Sequence, residues 1–312
     1  MSKRAVVAVD VGGTTIDAAC VAADGEVIGG LKESDSPASL SKDEIVNEFA
    51  RVIAAARARA AEAVSAPDAD VAPDADADVA VVACGMAIPA PFDYEAGVSS
   101  MTHKFQGIYG MPLGDLLREK TGLPAYFVND ADAFGLGVGW RQLPDTKRFV
   151  ALTIGTGLGG GFIEDGVNVQ GGNGVPPGGE VWNLPFGDGI LEDHVSARAV
   201  EAPYGRRGPG DHHSAKEISE RAARGEPAAL EAYRAMGTAL GTGLAPVLAR
   251  FAPEKIVIGG HIGRSLELFR PAMEQALAAA GLPDLPIIPA APGNMAIWGA
   301  ARRAFTLGPP AE

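Results

Sequence analysis

Three segments carry residue types suited to phosphate chemistry. The first, Asp10-Val11-Gly12-Gly13-Thr14-Thr15, follows the Val-rich run Ala5–Val9. Glycine lets a backbone approach a polyphosphate and turn its N–H groups toward the oxygens, and threonine hydroxyls add donors. Gly12, Gly13, Thr14 and Thr15 are therefore candidate phosphate contacts. Asp10, at a strand end beside them, suits a hydrated Mg2+, which takes one or two carboxylates and keeps several waters. The second segment, Gly155-Thr156-Gly157-Leu158-Gly159-Gly160-Gly161, offers Thr156 and Gly157 in the same way. It satisfies GxGxxG, but a dinucleotide-binding turn must open a helix. Here Phe162-Ile163 and Asp165-Gly166 read as a strand and a hairpin turn, which excludes that use. The third segment, Val128-Asn129-Asp130-Ala131-Asp132, follows the apolar strand 125–128. A strand end is where an α/β protein presents catalytic groups. Local features alone favour an ordinary helix cap for Asn129-Asp130.

The elements around these segments repeat. Ala5–Val9, 16–22 and 27–28 read as strands, with Asp24-Gly25 as a hairpin turn. Phe149–Ile154, 162–163 and Asp165-Gly166 follow the same plan, an internal duplication. Two such hairpins facing one another across a cleft would make one phosphate site. Ser41 and Glu44 have capping-box spacing before a helix carrying Ile45, Phe49, Val52 and Ile53 on one face; Ser214 and Glu217 repeat it. A long helix is expected over 227–250, feeding the strand 256–258 and the loop Gly259-Gly260. The segment Ala66–Ala80, with its repeated Ala-Pro-Asp, reads as a solvated acidic loop.

A length of 312 residues allows two domains, and 47% hydrophobic with 21% charged residues reads as globular. A net charge of −13 leaves no broad basic face for nucleic acid. Cys20 and Cys84 are too few for a zinc cluster or a disulfide scaffold and read as reduced core thiols. The apolar run after Lys3 and Arg4 ends at Asp10, too short for a signal peptide, and no segment is long enough to span a bilayer. The expected compartment is the cytoplasm.

Six motifs, in order, resemble the ROK sugar kinases and repressors of the actin-like ATPase superfamily. Asp10-Val11-Gly12-Gly13-Thr14 resembles DxGGT, Asn129-Asp130-Ala131 the NDA motif, and 155–161 the second phosphate motif. Gly179-Glu180 resembles the start of GExGH, Leu191-Glu192 with Ser196 and Arg198 the LExxxSxR segment, and Ile258-Gly259-Gly260 the loop beside adenosine. The resemblance implies an α/β fold of two domains with duplicated mixed sheets, ribonuclease H-like: residues 1–120, joined by a final helix over 296–312, and 121–295. It implies ATP and Mg2+ as cofactors, Asp130 as general base, and Asn129, Glu180, Asn183 and Glu192 as sugar contacts. Gly259 and Gly260 would lie at adenosine. The implied reaction is phosphorylation of a hexose or amino-hexose, such as glucose or a 3-amino sugar, at the 6-hydroxyl. Homodimers or homotetramers are implied too.

The departures narrow this. Asn183 stands where the family has a zinc- and sugar-binding His, and Phe186-Gly187-Asp188-Gly189-Ile190 replaces the CxCGxxGC cluster. No structural zinc is expected, because these side chains do not replace a thiolate cluster. Asp188, Asp193 and His194 could in principle ligate a metal, but their spacing matches no familiar site and they read as solvated or hydrogen-bonded loop residues. The family's Asn-Leu pair before Gly107 is here within Met101-Thr102-His103-Lys104-Phe105, so His103 or Lys104 could reach the substrate. Repressors of the family carry a DNA-binding domain before DxGGT; nine residues precede Asp10 here, and the acidic charge also argues against one. The other readings are a polyphosphate-dependent glucokinase and a non-catalytic sugar sensor.

Overall fold

The computed structural model describes residues 3–65, 79–204 and 213–309. The acidic segment expected as a loop lies outside them except for Val79 and Ala80, which are the start of a strand. The chain divides into two compact units, Met1–Arg141 with Asn294–Glu312, and Gln142–Gly293.

The first unit is built on β1 (Lys3–Val11), β2 (Thr15–Ala22), β3 (Val27–Asp35), β4 (Val79–Ile88) and β5 (Ala125–Asn129). Their order is β3-β2-β1-β4-β5. The first three form an antiparallel meander, and β4 and β5 run parallel to β1. β1 is apolar at successive positions because both faces of the sheet are covered. Val7 and Val9 share a core with Phe49 and Ile53 of α1 (Lys42–Ser65) and Leu117 of α2 (Leu113–Thr121). Val6 and Ala8 share another with Ala133 of α3 (Asp130–Arg141) and Ala300 of the final helix, Met295–Leu307.

That second face is lined with small residues, and α3 and the final helix meet backbone to backbone. A Cβ on Gly137 would sit 1.9 Å from Met295 O, and one on Gly299 1.7 Å from Ala133 O. Neither position has room for a side chain. The boundary expected near residue 120 therefore falls short: β5 pairs with β4 from Cys84↔Ala125 to Ile88↔Asn129, and α3 follows it onto the first sheet.

The second unit repeats the plan with β6 (Arg148–Ile154), β7 (Leu158–Glu164), β8 (Val167–Asn168), β9 (Lys255–Gly259) and β10 (Ile287–Pro289), ordered β8-β7-β6-β9-β10. Again an antiparallel meander is extended by strands parallel to its first member. The Asp165-Gly166 turn has φ of 50° and 75°, the double positive φ of a two-residue hairpin that matches strand twist. Helices α4 (Ala197–Tyr204), α5 (Ala215–Ala223), α6 (Pro227–Phe251) and α7 (Leu266–Ala279) supply Val200, Ile218, Tyr233 and Phe269 in turn to a core with Leu152 and Phe162. Ser214 and Glu217 form the expected reciprocal cap of α5.

Cys20 on β2 and Cys84 on β4 are buried and free. Burial pushes the Cys20 thiol up to about 11 and the Cys84 thiol further. Among the described residues no helix is long and apolar enough to cross a membrane.

Candidate active site

In the first unit, the β1–β2 hairpin closes on the pair Val11↔Ile16, with Gly12 N–H donating to Thr15 O at 2.9 Å. Ser36, just past β3, ties the loop down: its N–H donates to Thr14 O at 2.9 Å and its Oγ to Gly12 O at 2.7 Å. The loop carbonyls are thereby turned inward. Gly13 and Thr14 are exposed, and a Cβ on Gly13 would meet nothing within 4 Å.

Asp10 and Asp17 stand directly opposite one another on β1 and β2. Burial raises the Asp10 pKa to about 6, and the nearby charges of Asp130 and Asp17 add to the rise while a hydrogen bond from Asn294 opposes it. An oxygen donor such as Asp10 suits a hard divalent cation. Among the described residues no group of three or more His, Cys, Asp or Glu is arranged to hold a metal. Mg2+ needs no such cage, since it takes only one or two carboxylates and keeps several waters.

Asp130 is the first residue of α3. The cap that local sequence suggested is made by its neighbour: Asn129 Oδ1 accepts the Ala131 N–H at 2.9 Å. Asn129 Nδ2 donates to Tyr94 Oη at 3.1 Å, and Tyr94 donates in turn to Ile88 O at 3.2 Å. Asn129 is thus held at both ends, and it shares the Ala131 N–H with Asp130 Oδ1, also at 2.9 Å. Asp130 is itself exposed. Desolvation by the surrounding protein raises its pKa; the Ala131 N–H, the Lys104 ammonium and Asn129 oppose that rise.

Of the pair singled out in the loop before Gly107, Lys104 is the one that Asp130 feels. The loop is pinned by Met101 and Phe105, both fully buried. Phe105 takes a left-handed backbone (φ 52°) to bring its ring 6.0 Å from Phe49. His103 is exposed and makes no hydrogen bond or ion pair among the described residues.

In the second unit, the β6–β7 hairpin closes on Ile154↔Leu158, with Gly155 N–H donating to Gly157 O at 2.9 Å. Thr156 is exposed at its tip. Glu192 lies against this turn: its Oε2 accepts the Leu158 N–H at 2.9 Å, and a Cβ on Gly157 would sit 2.5 Å from that oxygen. Only glycine lets the carboxylate come this close. Glu192 also faces Arg198 at 3.5 Å, and its N–H donates to Trp182 O at 3.0 Å. Asn183 Nδ2 donates to Glu180 Oε2 at 3.1 Å. Glu180, Trp182, Asn183 and Glu192 therefore form one cluster, with Trp182 39% exposed. Gly259 ends β9 and Gly260 opens a short turn of helix. The His261 ring that follows packs over the second hairpin, its Cε1 2.9 Å from where a Gly155 Cβ would be.

The segment in place of a cysteine cluster is a small ribbon, Pro185–Phe186 paired with Gly189–Ile190. Asp193 accepts the Ile190 N–H at 3.1 Å, and the His194 ring meets Phe186 edge-on at 5.0 Å. Sequence reading missed Ser36, Tyr94, Asn294 and His261. The first two hold backbone or side chain of recognised motifs, and only the folded strand order reveals them.

Two units repeating one strand order, each opening on a Gly-rich hairpin, give the chain the duplicated α/β fold of the actin-like type. The chain belongs to the ROK family, whose sequence model matches residues 69–301. It is 29% identical over 302 residues to the glucokinase of Thermotoga maritima, covering 89% of this chain and 88% of that one. It is 24% identical over 271 residues to the N-acetylmannosamine kinase of Shigella flexneri, covering 83% of each. In structure it is similar to the ROK hexokinase of Thermus thermophilus, with a TM-score of 0.78 at 24% identity over 97% of this chain and 98% of the other. The ROK family glucokinase of Streptomyces griseus, in complex with glucose and AMPPNP, gives a TM-score of 0.71 at 24% identity over 96% and 98%.

Proposed function

We propose that the chain is a sugar kinase that transfers the γ-phosphoryl group of ATP to the 6-hydroxyl of a hexose or amino-hexose. The observation that carries this reading is Asp130, an accessible carboxylate at a helix start whose pKa is raised and which shares the Ala131 N–H with the Asn129 cap. A general base works best when its pKa lies near the working pH. The acceptor O–H gives its proton to Asp130 as its oxygen bonds to the γ-phosphorus. The bond from that phosphorus to the bridging oxygen breaks, and ADP leaves. Gly13–Thr15 and Thr156-Gly157 donate to the phosphates, with Gly12 shaping the first turn, and Gly259-Gly260 borders the adenosine. Mg2+, held through water at Asp10, supplies neutralising charge to the phosphates.

Glu180, Asn183 and Glu192 take acceptor hydroxyls, with Asn129 offering its remaining amide hydrogen. Glucokinases and an N-acetylmannosamine kinase among the relatives support a hexose or its amino derivative. The exposed Trp182 indole beside Glu180 and Asn183 suits the C–H face of a pyranose. Two carboxylates, Glu180 and Glu192, would also receive an ammonium group. A cytoplasmic homodimer or homotetramer belongs to the same reading and is checked by light scattering and fractionation.

The test is ADP release from ATP–Mg2+ with glucose, mannose, N-acetylated hexosamines and free amino sugars, including a 3-amino hexose, and with polyphosphate as a second donor. Sugar-dependent turnover with ATP is expected. Turnover with polyphosphate alone would change the donor, and sugar binding without turnover by any donor would leave a sensor.

A further inference from the structure

Asn294 enters none of the sequence motifs and lies 284 residues from Asp10 in the chain. In the fold its Nδ2 donates one hydrogen to Asp10 Oδ2 at 2.9 Å and the other to Asp17 Oδ2 at 2.7 Å. Its Oδ1 accepts the Ala296 N–H at 3.0 Å, capping the final helix. The reverse amide orientation would aim an oxygen at two carboxylates and a donor at a donor, so the chemistry admits one orientation. Asp10 and Asp17 are cross-strand partners, and like charges in that relation repel. One amide serving both carboxylates offsets that repulsion and fixes their rotamers.

We propose that Asn294 is a positioning residue for the metal–nucleotide substrate. By occupying Oδ2 of Asp10 it leaves Oδ1 as the oxygen offered to the hydrated cation. By standing at the start of the final helix it sets where that oxygen lies. The inference rests on the kinase reading.

Capping and positioning separate chemically. A cap needs a side-chain oxygen, which serine and threonine supply; bridging two carboxylates needs an NH2 group, which they lack. Asn294→Ser and Asn294→Thr therefore keep the helix start and delete the bridge. Adding Asp17→Asn returns an amide donor directly across from Asp10. Mn2+ binding in the presence of a non-hydrolysable ATP analogue is followed by electron paramagnetic resonance, alongside Mg2+ activation of ADP release and calorimetry of sugar without nucleotide. The serine and threonine variants are expected to bind Mn2+ about tenfold more weakly, the range typical of lost outer-shell partners. Their sugar affinity should be unchanged, and Asp17→Asn should restore most of the loss. Parent-like Mn2+ affinity in the folded single variants, or no recovery in the double variant, overturns the proposal and leaves a helix cap. A parent protein that binds no Mn2+–nucleotide and phosphorylates no sugar overturns the kinase reading itself, and this inference with it.

Discussion

The two Gly-rich hairpins share a strand plan and differ in what surrounds them. The first encloses four residues between Val11 and Ile16, and carboxylates face each other on its stem at Asp10 and Asp17. The second encloses three between Ile154 and Leu158, and its stem pairs Thr153 with Gly159, without a charge. Its one carboxylate, Glu192, arrives from a distant loop and binds the turn's backbone. Duplication has kept the backbone and divided the chemistry. One hairpin sits among groups suited to a cation and a proton, the other beside groups suited to hydroxyls.

If that division is right, its first half fails most heavily at Asp130. Asp130→Asn should lower kcat by roughly a hundredfold or more with little change in either KM, since a general base acts in the transition state. Steady-state ADP release measures it; activity within tenfold of the parent would place the base elsewhere.

The next effect concerns stability. Asp10 titrates near 6 in the folded protein, above the 3.8 of an unperturbed carboxylate. The folded state therefore holds that proton more tightly, and the stability it supplies is complete below 3.8 and lost as pH rises through about 6. The loss is at most about 3 kcal/mol. Asp10→Asn should remove this dependence and leave the metal-free variant more stable than the parent at pH 8, though weaker in Mg2+ activation. Urea midpoints at pH 4.5 and 8 provide the check.

A paired substitution sharpens the contrast between the hairpins. Gly157→Ala drives a methyl into the Glu192 carboxylate and should cost about 1–3 kcal/mol of stability. Gly13→Ala meets no protein atom within 4 Å, so its unfolding midpoint should match the parent while KM for ATP rises. Equal losses of stability would show that the hairpins are braced alike. The smallest effect is expected at Trp182. Removing its indole should raise the acceptor KM about threefold to tenfold and leave that for ATP alone.

Asp10 and both glycine loops were legible in the sequence because each is announced by near neighbours, whereas Asp130 read locally as a cap and stood out only through the family resemblance. Asn294 was not, since an Asn before a helix looks like any cap and its carboxylate partners are contributed by two strands at the other end of the chain. His103 and Lys104 were adjacent candidates; which one Asp130 would sense depends on how buried Met101 and Phe105 turn the loop between them. Glu192 was read as a sugar contact, but its hydrogen bond to Leu158 needed the fold to become visible. The unit boundary was misplaced because a strand's membership follows its ladder partners, here Cys84 to Ile88 for Ala125 to Asn129.

The two buried thiols, Cys20 and Cys84, both belong to the first unit's sheet, and the second unit has no cysteine. Their reaction with an alkylating reagent requires that sheet to open, because burial both shields them and disfavours the thiolate. Labelling kinetics in the unmodified protein thus clock the opening of one half of the molecule separately from the other. A ligand that slows labelling reveals that its binding is felt by the Asp10 half, whichever side chains it touches.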